Sequence, residues 1–405
     1  MRTQLADFIK DTPEGKEAEE IVRRCVHCGF CTATCPTYQL LGDELDGPRG
    51  RIYLMKQVLE GVEPTRSTQL HLDRCLTCRA CETTCPSGVQ YGRLVDIGRS
   101  IVEKKVERPF GEQVARSALK HGLTSKLFGP AMRTGQAVRA LLPESIRAKV
   151  PERRDAGAWP QRSHARKMLL PLGCVQPSMS PGIDAATARV LDALDIEVIT
   201  PTASCCGAIK HHLNDHDAAL IEVRHNVDAW WPHVEAGVEA IVMNASGCGA
   251  MVKEYAHLLR HDPAYAEKAR RIVALTKDLA ELLPPHAARL TSKLRQQPTE
   301  RVVFHPPCTL QHSQKIRGVV EQLLSTLGAE VLPLAESHLC CGSAGTYSVL
   351  QPELSNQLRA RKLDALQAEQ PDVILSANIG CITHLANGAR APVRHWIEWL
   401  DARLA

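Results

Sequence analysis

Aromatic side chains are scarce in this 405-residue chain: Phe, Trp and Tyr together make up 4% of it. Base-stacking platforms need such rings, and a net charge of +4 is too mild to hold a phosphate backbone, so nucleic acid is excluded as a partner. No apolar run approaches the roughly 18 residues that cross a bilayer. The opening MRTQLADFIK has neither a hydrophobic signal core nor a cleavage site. The expectation is a cytoplasmic chain, with peripheral contact on the inner face of the cell membrane left open. No G-x-G-x-x-G follows a strand pattern and opens a helix, so a dinucleotide fingerprint for FAD or NAD is missing too. What the chain has in excess is cysteine, sixteen in all. Because the cytosol keeps thiols reduced, these need a role other than disulfides.

Half of them form a repeat. Cys25, Cys28, Cys31 and Cys35, followed by Pro36, recur fifty residues later as Cys75, Cys78, Cys81 and Cys85, followed by Pro86. Each copy reads C-x2-C-x2-C-x3-C-P, the bacterial ferredoxin run, whose closely spaced thiolates wrap a [4Fe-4S] cube. Structural zinc is the rival, but it usually takes two cysteine pairs a dozen or more residues apart. In two-cluster ferredoxins the fourth Cys ligates the other cluster. The expected sets are therefore Cys25, Cys28, Cys31 with Cys85, and Cys75, Cys78, Cys81 with Cys35. Between the runs, Ile52, Leu54, Met55, Val58 and Leu59 fall near helical spacing and predict a helical pair. Gly47 to Arg51 read as a basic, solvated loop before it, with partner contact or tuning of a cluster potential as the alternative. Backbone amides around Gly29 and Gly88 are candidates for hydrogen bonds to cluster sulfurs.

From residue 101 to 167 the chain carries 15 Lys or Arg against 6 Asp or Glu. Apolar positions such as Val114, Leu119, Leu127, Val138 and Leu141 predict helices broken at Pro130 and Pro143, running into a linker, PERRDAGAWPQRSHARK. A basic amphipathic stretch suits anionic lipid or an acidic partner; a plain solvated face is the alternative.

The other eight cysteines form a second duplication: Cys174, Cys205, Cys206 and Cys248, then Cys308, Cys340, Cys341 and Cys381. Both copies contain CCG, and each Cys element follows a short apolar run such as KMLLPLGC or DVILSANIGC. Helical patterns separate these runs, so each half reads as a small parallel sheet whose cysteines gather at the carboxyl ends of the strands. A metal or redox role competes with packed, inert core cysteine. His211, His212, His305, His312, His338 and His384 lie near the same loops. Each reads as a hydrogen-bonded structural residue, except that His384, three after Cys381, has ligand-like spacing. The whole is a helical two-[4Fe-4S] ferredoxin-like domain (1–100), a basic helical connector (101–166) and two duplicated small parallel α/β domains (167–295 and 296–405), α+β and α/β in class.

The segments RCVHCGFCTATCPTYQLLGDELDGPRGRIYL, RCLTCRACETTCPSGV, NVDAWWP, ASGCGAMVKEY, HLCCGSAGTY and VRHWIEWL closely resemble the bacterial glycolate oxidase iron-sulfur subunits. These are relatives of lactate-utilisation, anaerobic glycerol-3-phosphate dehydrogenase and heterodisulfide reductase iron-sulfur subunits. The resemblance implies an electron-transfer subunit with two [4Fe-4S] clusters. A separate flavin subunit, carrying the FAD, would oxidise glycolate to glyoxylate, and electrons would leave towards a quinone-type acceptor. Iron-sulfur subunits of lactate or glycerol-3-phosphate dehydrogenase complexes are the alternative, as is a catalytic heterodisulfide-reductase-like subunit. Heterodisulfide reductase subunits end their CCG pattern in C-x2-C, whereas here Met251 and His384 stand at that position. A third cluster, of four cysteines with or without His384, remains open in the second copy.

Overall fold

The computed structural model describes residues 1–147, 149–202 and 205–405. The N-terminal head is helical. Its main elements are α1 (Pro13–Arg24), α2 (Pro36–Leu41), α3 (Pro48–Leu59), α4 (Arg66–Asp73), α5 (Ala80–Thr84) and α6 (Tyr91–Lys105). Proline opens α1, α2 and α3, where a missing N–H costs nothing and a fixed φ favours the first turn. Thr12 completes the start of α1 by accepting a hydrogen bond from the Gly15 amide. The apolar faces of α1, α3 and α6 meet through Ile21, Val22, Met55, Leu59, Leu94 and Val95, all buried.

The helical pair between the cysteine runs is present as α3 and α4, but the basic loop before it is not a loop. Pro48 to Arg51 form the first turn of α3, and Arg51 is 1% exposed. Its Nε donates to the His71 carbonyl at 2.7 Å, Nη1 to Thr37 Oγ1 at 3.1 Å and Nη2 to Asp46 Oδ1 at 3.4 Å. A buried guanidinium is tolerated because each of its edges has a partner.

The connector contains α7 (Phe110–Gly122) and α8 (Phe128–Ala137). The break between them falls at residues 123–127 and not at Pro130, which sits in the first turn of α8, where proline removes no helical hydrogen bond. Asp73 of α4 ties the connector down by accepting from Arg108 at 2.6 Å and Arg116 at 3.0 Å. Residues 151–164 run without regular structure, as a linker.

Two four-stranded parallel sheets follow. The first comprises β1 (Arg166–Leu169), β2 (Ile196–Ile199), β3 (Ile241–Met243) and β4 (Thr276–Asp278), in the order β2-β1-β3-β4. The second comprises β5 (Arg301–His305), β6 (Glu330–Val331), β7 (Val373–Ser376) and β8 (Val393–His395), in the order β6-β5-β7-β8. Each half thus has the three strands expected plus a fourth at one edge. Ala203 and Ser204, in the run IEVITPTASCCG, lie outside the described residues. The two sheets share one hydrophobic core, which includes Ile183, Leu191, Trp396 and Leu400 from helices 182–192 and 396–401. An Arg189–Asp401 ion pair at 2.6 Å closes the edge of that contact.

Candidate metal centres

In both ferredoxin-type runs the backbone takes the same course. His27 (φ 59°) and Gly29 (φ 86°) in the first run match Thr77 (φ 51°) and Arg79 (φ 59°) in the second. Left-handed residues on either side of Cys28 and Cys78 curl the loop so that successive amides turn to one side, the geometry of an anion-binding nest. Three of these four positions are not glycine, and holding them left-handed costs about 1–3 kcal/mol each, a strain typical of functional loops. Arg79 is held in place by Glu254 at 2.8 Å.

Two cavities in the head are walled by these loops. One is lined by Cys25, Cys28, Cys31, Cys81 and Cys85, the other by Cys35, Cys75, Cys78 and Cys81. In each, the fourth Cys of one run lines the cavity with the first three of the other, and Cys81 lines both. Burial pushes the Cys31 thiol up to about 11, with Cys25 adding to the effect. Burial likewise raises Cys35, against the pull of Arg51, and lifts Cys81 well above the thiol range. Dry pockets crowded with thiols disfavour bare thiolates; a bound cationic iron set reverses that balance, and the donor set fits one. Around the second cavity Tyr91 donates its hydroxyl to Cys75 Sγ at 3.6 Å and the Thr77 amide donates to the same sulfur at 3.4 Å.

The remaining eight thiols form two strings at the carboxyl edges of the sheets. In the first, Cys174 Sγ lies 3.5 Å from Cys205 Sγ, and Cys206 contacts Cys205 and Cys248. In the second, Cys308 contacts Cys340, Cys340 contacts Cys341, and Cys341 contacts Cys381. Cys308 also touches Cys78 of the head, so the second string abuts the second head cavity. The Gly of each CCG is left-handed, Gly207 at φ 90° and Gly342 at φ 88°, and lets the chain turn immediately behind the cysteine pair.

The histidines separate in role. His211 pairs with Asp96 at 3.3 Å, and His312 sits between Thr83 Oγ1 at 3.0 Å and the His338 carbonyl at 2.9 Å. His384, singled out for its spacing, gives Nε2 to Ser355, 3.1 Å from Oγ and 3.3 Å from the carbonyl. His305 is different: its ring lies with Cys341 and Cys381, ligand atoms within 4.8 Å of one another, all three residues buried. Sequence reading placed His305 among structural histidines and took Arg51 for part of a solvated loop, whereas it is buried. The available signal for His305 was a polar residue inside the apolar run RVVFHPPC.

Between the head and the first sheet lies a cavity of about 660 Å³. Ion pairs cross it: Arg79 and Arg93 reach Glu254, and Glu17 takes Arg260 at 2.8 Å and His257 at 3.2 Å. The head is thereby docked on both sheets, by charge on one and by thiol and apolar contact on the other.

Comparison with known proteins agrees with this anatomy. Residues 21–89 match the 4Fe-4S dicluster domain, and residues 169–253 and 302–386 each match the cysteine-rich domain. The class is an iron-sulfur electron-transfer protein with two [4Fe-4S] clusters and duplicated cysteine-rich units. The glycolate oxidase iron-sulfur subunit of Escherichia coli (strain K12) is 53% identical over 100% of this chain and 99% of its own. A probable glycolate oxidase iron-sulfur subunit of Bacillus subtilis (strain 168) is 33% identical over 90% of this chain and 88% of its own. Lactate utilization protein A of Geobacillus thermodenitrificans is 28% identical over only 58% of this chain. The chain belongs to the glycolate oxidase iron-sulfur subunit family.

Proposed function

We propose that the chain carries electrons within a glycolate-oxidising complex, taking them from a flavin-bearing partner subunit and passing them towards a quinone-type acceptor. The observation that carries this reading is the gathering of eight ferredoxin-type thiols around two cavities, each of which brings the fourth Cys of one run to the first three of the other, with Cys81 on the wall between them. Cys25, Cys28, Cys31 and Cys85 hold one [4Fe-4S] cluster, and Cys75, Cys78, Cys81 and Cys35 the other. Bound there, each cluster supplies one-electron storage, which splits the two electrons released by a flavin.

The chain's own residues set direction. Cys28 is exposed, and beside it Val26 and Phe30 project at 69% and 61% exposure, an apolar collar suited to a partner subunit. Around the second site Arg51 lies buried, a fixed positive charge that favours the more reduced, more negative state of whatever the thiols bind. Among the described residues no helix is long and apolar enough to cross a membrane. Contact with the inner membrane face falls to the connector, where Phe110, Leu127 and Leu141 stand exposed among basic residues.

The test is iron and sulfide per chain on anaerobically purified protein, with electron paramagnetic resonance of the reduced state, in wild type and in Cys28→Ala and Cys78→Ala. Each variant loses one cube and, assembled with its flavin partner, glycolate-dependent reduction of a quinone analogue. Unchanged iron and undiminished turnover in both variants would sink the reading.

A further inference from the structure

In the second cysteine-rich unit a fully buried histidine has no hydrogen-bond partner. His305 is 0% exposed, and neither Nδ1 nor Nε2 meets a donor or acceptor. Among the described residues it is the one histidine with both ring nitrogens in that condition. An imidazole always carries at least one N–H or lone pair that needs a partner, and native interiors rarely leave such groups orphaned. His305 ends β5 facing Cys341 and Cys381, the neighbours a metal-binding nitrogen would require.

We propose that the second cysteine-rich unit holds an iron-sulfur centre of mixed donors, bound by an imidazole nitrogen of His305 together with Cys308, Cys340, Cys341 and Cys381. This goes beyond the electron-transfer reading and needs neither the flavin partner nor the quinone. Three features favour a multi-iron centre over a single ion. A tetrahedral zinc gathers four donors at 2.0–2.3 Å from one point. Here three donors form a tight group, while Cys340 and Cys308 continue as a string away from it, giving five donors spread over a longer site. The string ends against Cys78 of the head, so the centre lies next to a cluster site and is not isolated in the core. All five donor residues are buried, which protects sulfide from solvent.

The first unit lacks the nitrogen. Its residue matching His305, by the 134-residue offset that relates Cys174 to Cys308, is Pro171. The nitrogen donor is therefore peculiar to the second half, and among the described residues it is His305, not His384, whose ring lies in one ligand group with Cys341 and Cys381.

The experiment compares metal and sulfide per chain in the anaerobically purified full-length protein and in His305→Ala. It is paired with pulsed electron paramagnetic resonance of wild type grown with natural and with 15N-labelled histidine. The expected result is a loss of about four irons in the variant, together with a wild-type coupling from a directly bound nitrogen that changes on labelling. Should His305→Ala fail to fold, the labelling result in wild type decides alone. Iron no greater than two cubes require, stoichiometric zinc in place of the extra iron, or a variant that retains all its iron with an unchanged spectrum overturns the proposal. None of these outcomes bears on whether the head transfers electrons from a flavin, which Cys28→Ala and Cys78→Ala test separately.

Discussion

At the end of its first strand region the first cysteine-rich unit has Pro171 and the second has His305, although sheet order and strand direction are the same in both and the cysteine spacings differ by no more than two residues. The strings of thiols differ in setting as well. Cys174 and Cys248 are half-buried, whereas Cys308, Cys340, Cys341 and Cys381 are all buried, and the second string reaches a thiol of the head, Cys78. A parallel sheet provides the scaffold in each case, and the loops at its carboxyl edge are free to diverge without disturbing the core. Duplication has kept the frame and changed the edge. The second unit buries all four of its cysteines, while the first contributes His211, Met251 and Glu254 to the wall of the 660 Å³ cavity.

The largest effect that separates the two units follows from the Cys78–Cys308 contact. Cys28→Ala and Cys78→Ala each remove a ligand to one cube and with it the metal-dependent stability of that loop. Only Cys78→Ala also strips the second unit of a contact. Hydrogen exchange across residues 339–350 is expected to accelerate in Cys78→Ala and to stay as in wild type in Cys28→Ala. Equal protection in the two variants would mean that the second string is insulated from the head.

A smaller difference is expected at the CCG glycines. Both are left-handed, which alone costs an L-residue about 1–2 kcal/mol. A Cβ at Gly342 would meet the Ser355 carbonyl oxygen at 2.4 Å, a backbone atom pinned by helix 352–367, whereas at Gly207 the nearest atom is the Ala219 oxygen at 3.2 Å. Gly342→Ala should therefore lose about 3–4 kcal/mol and Gly207→Ala about 1–2 kcal/mol, read from denaturation midpoints of the metal-loaded protein. A Gly207→Ala loss matching that of Gly342→Ala would show that both turns are equally tight.

Much of this architecture is legible in the residues. The fifty-residue repeat of Cys and Pro announces the paired runs, and apolar runs ending in Cys announce three strands per half. The fourth strands are hidden because Thr276–Asp278 and Val393–His395 are three residues long and mostly polar, too short for periodicity to register. Arg51 reads as solvated because local composition says nothing of Asp46, Thr37 and the His71 carbonyl, which fold in around it from other elements. His305 escapes for the converse reason. A polar residue in the apolar run RVVFHPPC hints at it, but its lack of hydrogen-bond partners exists only in three dimensions.

Those short fourth strands also carry the subtlest contrast between the units. Asp278 ends β4 and His395 ends β8, and each caps the following helix: Asp278 accepts from the Ala280 amide at 3.0 Å, His395 Nδ1 from the Ile397 amide at 3.1 Å. Both are buried, and burial disfavours charge, so the acid and the base move in opposite directions. Burial raises Asp278 to about 6, and it lowers His395 to about 3. The folded first unit then binds more protons than its unfolded chain between about pH 4 and 6, and its stability falls as pH rises through that window. For the second unit the unfolded chain binds more protons between about pH 3 and 6.5, so stability falls as pH drops. Lowering the pH from 6 to 5 should stabilise the first unit and destabilise the second by about 1 kcal/mol each, since one proton per pH unit is worth about 1.4 kcal/mol. Asp278→Asn and His395→Asn keep a capping side chain and remove the titration, so each should flatten the pH response of its own unit, followed by hydrogen exchange in β3 and β7. If both units weaken in parallel on acidification, and neither variant changes that, the caps are not what distinguishes the two halves. Their divergence would then be confined to the metal-binding edge.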